Sequence, residues 1–280
     1  MILVKAERDA LLGPLSAVSG IIERRHTLPI LSNVLIEKSA DALSFLATDI
    51  EIQITSNANS SARGETQAIT VGARKLVEIL RALPAGEVTL TMQEKRLQVK
   101  SGKSRFTLQT LPAEDFPLVQ ESPNFGPVFS VPQKTLKGLL QQVSFSMAVH
   151  DIRYYLNGIL FVAEGKQLSL VATDGHRLAY ASATLDVEVP RQEVILPRKT
   201  VLEMLRLLSD KEGAIDMQFA NNQAKFVFDG MEFVTKLVEG KFPDYNRVIP
   251  KNHKNTVTLG RAPLLACLQR TAILTSEKFK

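Results

Sequence analysis

The sequence is poor in cysteine and has no long apolar run. Cys267 is the only cysteine among its 280 residues, so no disulfide can form within the chain, as is usual in the reducing cytosol. No apolar stretch approaches the ~18 residues that a membrane-spanning helix requires. Glu7, Arg8 and Asp9 follow too soon after the start to leave room for the apolar segment of a signal peptide. These absences predict a cytoplasmic protein that does not contact a membrane.

Catalytic and metal-binding motifs are also missing. No Gly-x-Ser-x-Gly nucleophile motif occurs, and no group of His, Cys, Asp and Glu has the spacing of a metal site. Asp174 and His176 could form a general base with its orienting carboxylate, so an enzyme acting on nucleotides or phosphoesters stays an alternative. Against it, the Thr-Asp pair at Thr173 recurs at Thr48 without a histidine. We expect no enzymatic activity, no cofactor and no metal.

What the chain does contain is an internal repeat. The segment that begins at Arg74-Lys75 resembles the one that begins at Arg198-Lys199, with an apolar stripe at helical spacing followed by three alternating segments. The offset is 124 residues at the start and 126 at the closing Phe-Pro pairs, Phe116 and Phe242. A finer unit begins five times, near residues 3, 71, 130, 195 and 258. Such periodicity decides the architecture.

Each half-unit is predicted to run strand, helix and then strands. Leu76, Ile79, Leu80 and Leu83 lie at the spacing of one helix face. Segments such as 97–100 alternate with period two, as half-buried strands do. Two half-units then form one domain with two helices packed on antiparallel sheets, an α+β fold.

Domain boundaries are expected where polar segments with proline or glycine fall at the repeat joints. They give domains at 1–126 and 127–255, and the start of an incomplete third domain at 256–280. A half-domain this short should not bury a core of its own. We therefore expect the chain to be part of a three-domain protein.

The positive charge of the chain concentrates in the predicted helices. The windows 5–25, 73–82, 131–147, 197–211 and 260–272 carry +9 together, whereas the whole chain carries +5, which leaves −4 elsewhere. Basic helices beside an acidic remainder favour a nucleic acid on the helix side. The alternative is that these lysines and arginines only keep the helix faces solvated.

Two Arg-Lys pairs stand at helix starts, where the helix dipole disfavours cations. Arg74, Lys75, Arg198 and Lys199 occupy these positions. Because acidic residues would be better there for stability, the pattern predicts contacts with phosphates, which add affinity without sequence choice.

Segments along the whole chain resemble the bacterial β sliding clamp family. They include HTLPILSNVLIE from His26, RYYLNGILF from Arg153, VATDGHRLA from Val171, KLVEGKFPDYNRVIPK from Lys236 and RTAILTSEKF from Arg270. The resemblance implies three domains of the DNA-clamp fold that pair head-to-tail into a homodimeric ring. It also implies a non-catalytic accessory subunit that tethers the replicative DNA polymerase to double-stranded DNA. The clamp loader and other replication and repair proteins with a clamp-binding motif would be further partners.

The geometry of such a ring is physically reasonable. If six domains each present two helices inward at ~10 Å spacing, the helices enclose a bore of roughly 28 Å. A DNA duplex fits in a bore of that width.

The resemblance implies three sets of functional residues. The DNA-binding set is Arg25, Arg74, His150, Tyr154, Tyr155, Arg198 and Lys199. The set that binds partner peptides is Leu156, Thr173, Gly175, His176, Arg177, Leu178, Pro243, Arg247 and Val248, and the rest of the pocket belongs to the part of the family absent from this chain. The subunit-interface set is Phe106, Leu108, Ile273 and Leu274.

Structural roles are the alternatives for these residues. One of the two tyrosines could be core while the other reaches its polar tip to water, and the interface set could be ordinary core packing. We expect Arg153 to form a structural ion pair. We expect Cys267 to lie on an apolar helix and to be buried in the core. A peptide-binding adaptor with no DNA role is the remaining alternative, and loss of the protein from circular DNA after cutting would exclude it.

Overall fold

The computed structural model describes residues 2–23, 28–39, 42–58 and 66–275. Arg25, predicted to bind DNA, lies outside the described residues. The chain forms two compact units, Met1–Phe242 and Pro243–Lys280. No helix among the described residues is long and apolar enough to cross a membrane.

The described residues of the first unit form four α-helices, and each begins where a strand ends. The helices are α1 (Arg8–Val18), α2 (Ala73–Ala82), α3 (Gln133–Val143) and α4 (Arg198–Leu207). The strands are β1 (Ile2–Glu7), β2 (Asn33–Lys38), β3 (Leu43–Thr48), β4 (Ile52–Ala58), β5 (Gln67–Gly72), β6 (Glu87–Gln93), β7 (Arg96–Ser101), β8 (Ser104–Pro112), β9 (Phe129–Pro132), β10 (Gly158–Thr173), β11 (Leu178–Pro197), β12 (Ala214–Phe219), β13 (Gln223–Phe228) and β14 (Met231–Lys236). The order of strand, helix and strands is confirmed for these four half-units.

The fifth half-unit differs from the prediction. Helix α5 (Arg261–Ala272) forms in the second unit, but no strand precedes it at residue 258. A strand needs a neighbour for its backbone hydrogen bonds, and the described part of the second unit contains no strand to serve as one.

The strands of the described residues form two antiparallel sheets. Twelve strands follow the order β1-β6-β7-β8-β5-β2-β3-β4-β14-β13-β12-β9, and β10 pairs with β11. The repeat is in register, because Asn33 lies opposite Gly72 while Gly158 lies opposite Pro197, a shift of 125 residues. The predicted α+β class is confirmed.

The helices pack one face on the sheets. Helix α2 buries Leu76, Val77 and Leu80 and leaves Arg74 and Lys75 exposed. The core is continuous through the first unit, so the charged faces of the helices are positioned by apolar packing beneath them.

The two sequence repeats join through a strand ladder. Strand β4 of the first repeat pairs with β14 of the second, with Ile52 opposite Thr235 and Ser56 opposite Met231. The segment before residue 126 has no helix or strand after Asp115. The predicted domain boundaries stay predictions.

Candidate nucleic-acid and partner-binding sites

The starts of the helices are not capped by side chains. None of the five described α-helices has a side-chain hydrogen bond at its N-cap. Backbone carbonyls of other segments accept from the first amides of α1, α3 and α4, at Arg8, Gln133 and Arg198. The helix dipole still favours negative charge at these starts.

In both Arg-Lys pairs the lysine forms ion pairs, whereas the arginine side chain forms none with a described residue. Lys75 Nζ lies 2.8 Å from Glu78 Oε2, and Lys199 Nζ lies 2.6 Å from Glu23 Oε1 and 2.5 Å from Asp49 Oδ2. Within the described residues, the guanidinium groups of Arg74 and Arg198 form no hydrogen bond or ion pair. The arginines thus keep their donors for a ligand, whereas the lysines are already paired.

Arg74 borders an open cleft between α1 and α2. The cleft has a volume of about 670 Å³, and its charged lining is Arg74, Lys75, Arg81, Arg206, Glu23 and Glu78. Cations outnumber carboxylates there, which suits a phosphate group more than a cation.

The loop before β10 is exposed and is held by hydrogen bonds among its own residues. Asn157 Oδ1 accepts from the Asp151 amide at 3.0 Å, and Asn157 Nδ2 donates to the Asp151 carbonyl at 2.9 Å. Arg153 contacts both carboxylate oxygens of Asp151 at 3.0 and 2.8 Å. Hydrogen bonds from Arg153 lower the pKa of Asp151 to about 2. The ion pair expected for Arg153 is confirmed.

This loop presents the predicted DNA-binding aromatics. Tyr154 is exposed and Tyr155 is half-buried, with their rings edge-to-face at 5.9 Å. Neither ring is core. His150 is exposed and adopts a left-handed backbone with φ of 55°, a conformation that histidine tolerates better than most residues.

The Thr-Asp turn of residues 173–178 is a structural device that the chain uses twice. Thr173 Oγ1 donates to the Arg177 carbonyl at 2.7 Å, and Asp174 Oδ1 accepts from the amides of His176 and Arg177. Thr48 and Asp49 make the same bonds in the first repeat. The pair therefore shapes a turn in both repeats.

The possible catalytic pair does not assemble in this turn. The carboxylate of Asp174 also accepts from the Arg177 side chain at 3.1 Å, and the ring of His176 has no hydrogen bond to any described residue. Burial acts to raise the pKa of Asp174, but the amides of Arg177 and His176 and the Arg177 guanidinium outweigh it and lower this pKa. An ionised Asp174 is thus committed to the turn and does not orient the imidazole.

The residues predicted to bind peptides fall in both units. In the first unit, Leu156 is buried, Leu178 and Thr173 are half-buried, and Gly175, His176 and Arg177 are exposed. The Arg177 guanidinium lies 5.6 Å from the centre of the exposed Phe145 ring. This surface combines apolar and cationic groups, as peptide sites do.

The second unit carries the remaining members of that set. Pro243, Arg247 and Val248 are exposed there, and Arg247 Nε lies 3.0 Å from Asp244 Oδ2.

The residues predicted at a subunit interface are accessible. Residues 104–109 of β8 pair with β7 on one side and, among the described residues, with no strand on the other. Phe106 is 38% exposed there, and in the second unit Ile273 and Leu274 are 77% and 92% exposed. Core packing is therefore wrong for these three residues.

Cys267 was also predicted wrongly. It is exposed, not core, because the described residues of the second unit contain no strand and no other α-helix that could cover it.

Sequence reasoning missed the double ion pair of Lys199 and the backbone of Ile50. Ile50 has φ of 79°, close to the 87° of Gly175 at the equivalent turn position. The repeat offset could have indicated Ile50, since it aligns with a glycine. No sequence signal pointed to Glu23 and Asp49 as partners of Lys199.

Repeated α+β units whose helices carry basic side chains, with a strand edge left open among the described residues, fit the class of DNA-clamp proteins. Sequence profiles of the DNA polymerase III beta subunit match residues 3–120 for its N-terminal domain and 130–244 for its central domain. The beta sliding clamp of Pseudomonas aeruginosa is 44% identical over 278 residues, which are 98% of this chain and 75% of that protein. That of Escherichia coli K12 is 42% identical over 275 residues, with the same shares.

Solved structures agree. The crystal structure of the DNA polymerase III subunit beta from Pseudomonas aeruginosa matches with a TM-score of 0.94 at 43% identity, over 99% of this chain and 76% of that one. The sliding clamp of Bacillus subtilis matches with a TM-score of 0.92 at 27% identity, over 99% and 75%. The chain belongs to the family of bacterial DNA polymerase III beta subunits, the beta sliding clamps. It spans about three quarters of the length of these relatives.

Proposed function

We propose that the chain acts as a DNA sliding clamp, part of a ring that encircles duplex DNA and holds the replicative polymerase on it. It is an accessory subunit of a DNA-directed DNA polymerase in the cytoplasm and has no catalytic activity of its own. The domain division at residues 126 and 255 belongs to this proposal, with one clamp domain for each full repeat.

The open edge of β8 is the observation that supports a ring most directly. Strand β8 in the first repeat corresponds to β14 in the second, since Phe106 and Met231 are 125 residues apart. Strand β14 has its edge covered by β4 of the neighbouring repeat, whereas residues 104–109 lack such a neighbour among the described residues. An uncovered edge invites pairing with another chain. A second copy that supplied a β4-like strand would continue the ladder and close a head-to-tail homodimer.

The interface set supports the same assembly. Phe106 and Leu108 lie along the open edge, and Ile273 and Leu274 are apolar and largely exposed. Apolar side chains of this kind are stabilised when a partner covers them. We assign them to the contact between subunits.

We assign the DNA contacts to Arg74 and Arg198, which have no ion pair to a described residue, and to the exposed loop before β10. Arg74 and Arg198 would approach phosphates, together with Arg25, while His150, Tyr154 and Tyr155 offer aromatic and polar groups. Phosphate contacts position a protein without reading sequence, so the affinity should be weak and non-specific. The ring then prevents escape.

Partner peptides are assigned to the surface around the turn of residues 173–178. Leu178 and the buried Leu156 provide apolar groups, and His176 and Arg177 provide donors for a peptide carboxylate or backbone. The replicative polymerase, the clamp loader and repair proteins with a clamp-binding motif are the proposed partners.

Topology provides the decisive experiment. The protein is loaded onto nicked circular DNA, separated by gel filtration, and assayed again after one restriction cut. Retention on the circle that disappears on cutting is expected only for a ring. Phe106→Asp should lower retention on the circle, because it places charge on the open edge, and Val187→Asp on β11 is the matched control. Equal binding to circular and cut DNA would contradict the proposal.

The enzyme alternative has its own test. Incubation with nucleotides and DNA in Mg²⁺ or Mn²⁺ should give no turnover above the buffer background. Turnover that is lost in His176→Ala would contradict the non-catalytic role.

A further inference from the structure

Lys199 connects the two repeats of the first unit. It lies in the first turn of α4 in the second repeat, but both of its partners belong to the first repeat. Glu23 follows α1, and Asp49 lies in the turn between β3 and β4. The Asp49 side chain is 6% exposed and that of Lys199 is 37% exposed. An ion pair so shielded from solvent is screened much less than a surface pair.

Asp49 also holds the turn that leads into the ladder between the repeats. Its Oδ1 atom accepts from the amides of Glu51 at 3.0 Å and Ile52 at 2.6 Å, and Oδ2 contacts Lys199. The turn places Ile50 at φ of 79°, an outlier for a β-branched residue that the surroundings must stabilise. Ile52 then begins β4 and lies opposite Thr235 of β14.

A second contact lies in the same joint between the repeats, which is the region where α4 meets the end of α1 and the turn between β3 and β4. The Arg206 side chain of α4 donates to the carbonyl of Ala17 at the end of α1. The ends of the Glu203 and Arg206 side chains also lie against Gly20, just after α1, where a larger side chain would displace them.

The corresponding groups elsewhere have local partners. Lys75 occupies the position of Lys199 in the first repeat, and it pairs with Glu78 on its own helix. Asp174 corresponds to Asp49, and it pairs with Arg177 within its own turn. Among the described residues, the cross-repeat pairing of these equivalent positions occurs only at Lys199.

We infer that Lys199 is a positioning residue that fixes the angle between the first and second repeats and does not contact DNA phosphates. The charge of Lys199 persists: burial acts to lower its pKa, but the hydrogen bonds to Asp49 and Glu23 outweigh this and raise it. The joint itself follows from these contacts alone. Only the statement about DNA rests on the proposed function.

A double-mutant cycle tests the joint. Asp49→Asn keeps the oxygen that accepts from the two turn amides, and Lys199→Met keeps the apolar stem. Each single change should raise the unfolding equilibrium constant, measured in urea, by about tenfold. The double variant should be no worse than the weaker single variant. The inference would be overturned if the effects of the two single changes on the unfolding equilibrium constant multiplied in the double variant. It would also be overturned if Lys75→Met raised this constant as much as Lys199→Met.

The angle between the repeats is measured separately. In a Cys267→Ser background, spin labels at positions 13 and 202 report the distance between α1 and α4. Lys199→Met should broaden or shift the distance distribution, Lys199→Arg should restore it, and Lys75→Met should leave it unchanged. An unchanged distribution in Lys199→Met would overturn the positioning role.

DNA binding completes the test. Lys199→Met should leave the salt dependence of DNA affinity unchanged, whereas Arg198→Met should reduce its slope by about one unit. A slope lowered by Lys199→Met would overturn the second half of the inference. If the chain bound no DNA, the proposed function would fail, and the cycle and the distances would still decide whether the joint exists.

Discussion

Replacing Arg74 and Arg198 together by alanine should weaken DNA binding in a way that salt reveals. Both guanidinium groups stand in the first turn of a helix without a hydrogen bond or ion pair to a described residue. Their loss removes two donors for phosphates and leaves the folded protein almost undisturbed, because no internal partner is abandoned.

The magnitude follows from counterion release. Each phosphate contact adds about 0.9 to the slope of log affinity against log salt. Two contacts add about 1.8, so a fourfold rise in salt should weaken the wild-type protein about 12-fold more than the double variant. Fluorescence anisotropy with a labelled duplex, at several salt concentrations and for two unrelated sequences, measures this slope.

Two controls separate the contacts from net charge. Arg191 on β11 is exposed and pairs with Glu164 and Glu193, so Arg191→Ala changes the net charge as much as Arg198→Ala alone but should leave the slope nearly unchanged. Lys75→Ala removes a lysine already paired with Glu78 and should have a smaller effect than Arg74→Ala. The reasoning is refuted if Arg191→Ala lowers the slope as much as Arg198→Ala, or if the double variant keeps the wild-type slope.

Three further predictions concern the peptide surface, the loop before β10 and the core. Leu178→Asp should lower the affinity for a labelled clamp-binding peptide by about thirtyfold or more, since a few apolar anchors carry such sites; unchanged affinity would contradict the assignment. Arg153→Met should raise the pKa of Asp151 from about 2 towards 3.8 in a carboxyl NMR titration. Because the folded pKa is lowered, this ion pair stabilises the wild-type loop above about pH 3.8 and is lost as pH falls through about 2. Phe226→Ala should lower the free energy of unfolding, measured in urea, by about 3–5 kcal/mol, because the side chain is fully buried. A loss below about 1 kcal/mol would show that neighbouring side chains move into the cavity.

The repeat itself allowed much of the fold to be predicted. Helix α2 spans residues 73–82, as its apolar spacing indicates, and α5 spans 261–272, close to the predicted 260–272. Helical periodicity and turn pairs are local properties, so a single sequence displays them. The strand predicted at residue 258 does not form, because a strand depends on pairing with a neighbour, which is not a local property of the sequence.

Some features of the candidate sites could likewise be predicted from the sequence, and others could not. The Arg-Lys pairs, the Thr-Asp turns and the Arg-Tyr-Tyr loop were visible in the sequence because each is a short run of chemically distinctive residues. The sequence could not tell Arg198 from Lys199, which stand side by side with the same charge. Tertiary packing separates them: it brings Glu23 and Asp49, 176 and 150 residues away in the chain, to the lysine, and it gives the arginine side chain no partner among the described residues. The sequence by itself determined the periodicity, the helices and the places where charge collects. Only the tertiary structure decided which charges are neutralised, because ion pairing depends on distances that the repeat reveals only after it folds.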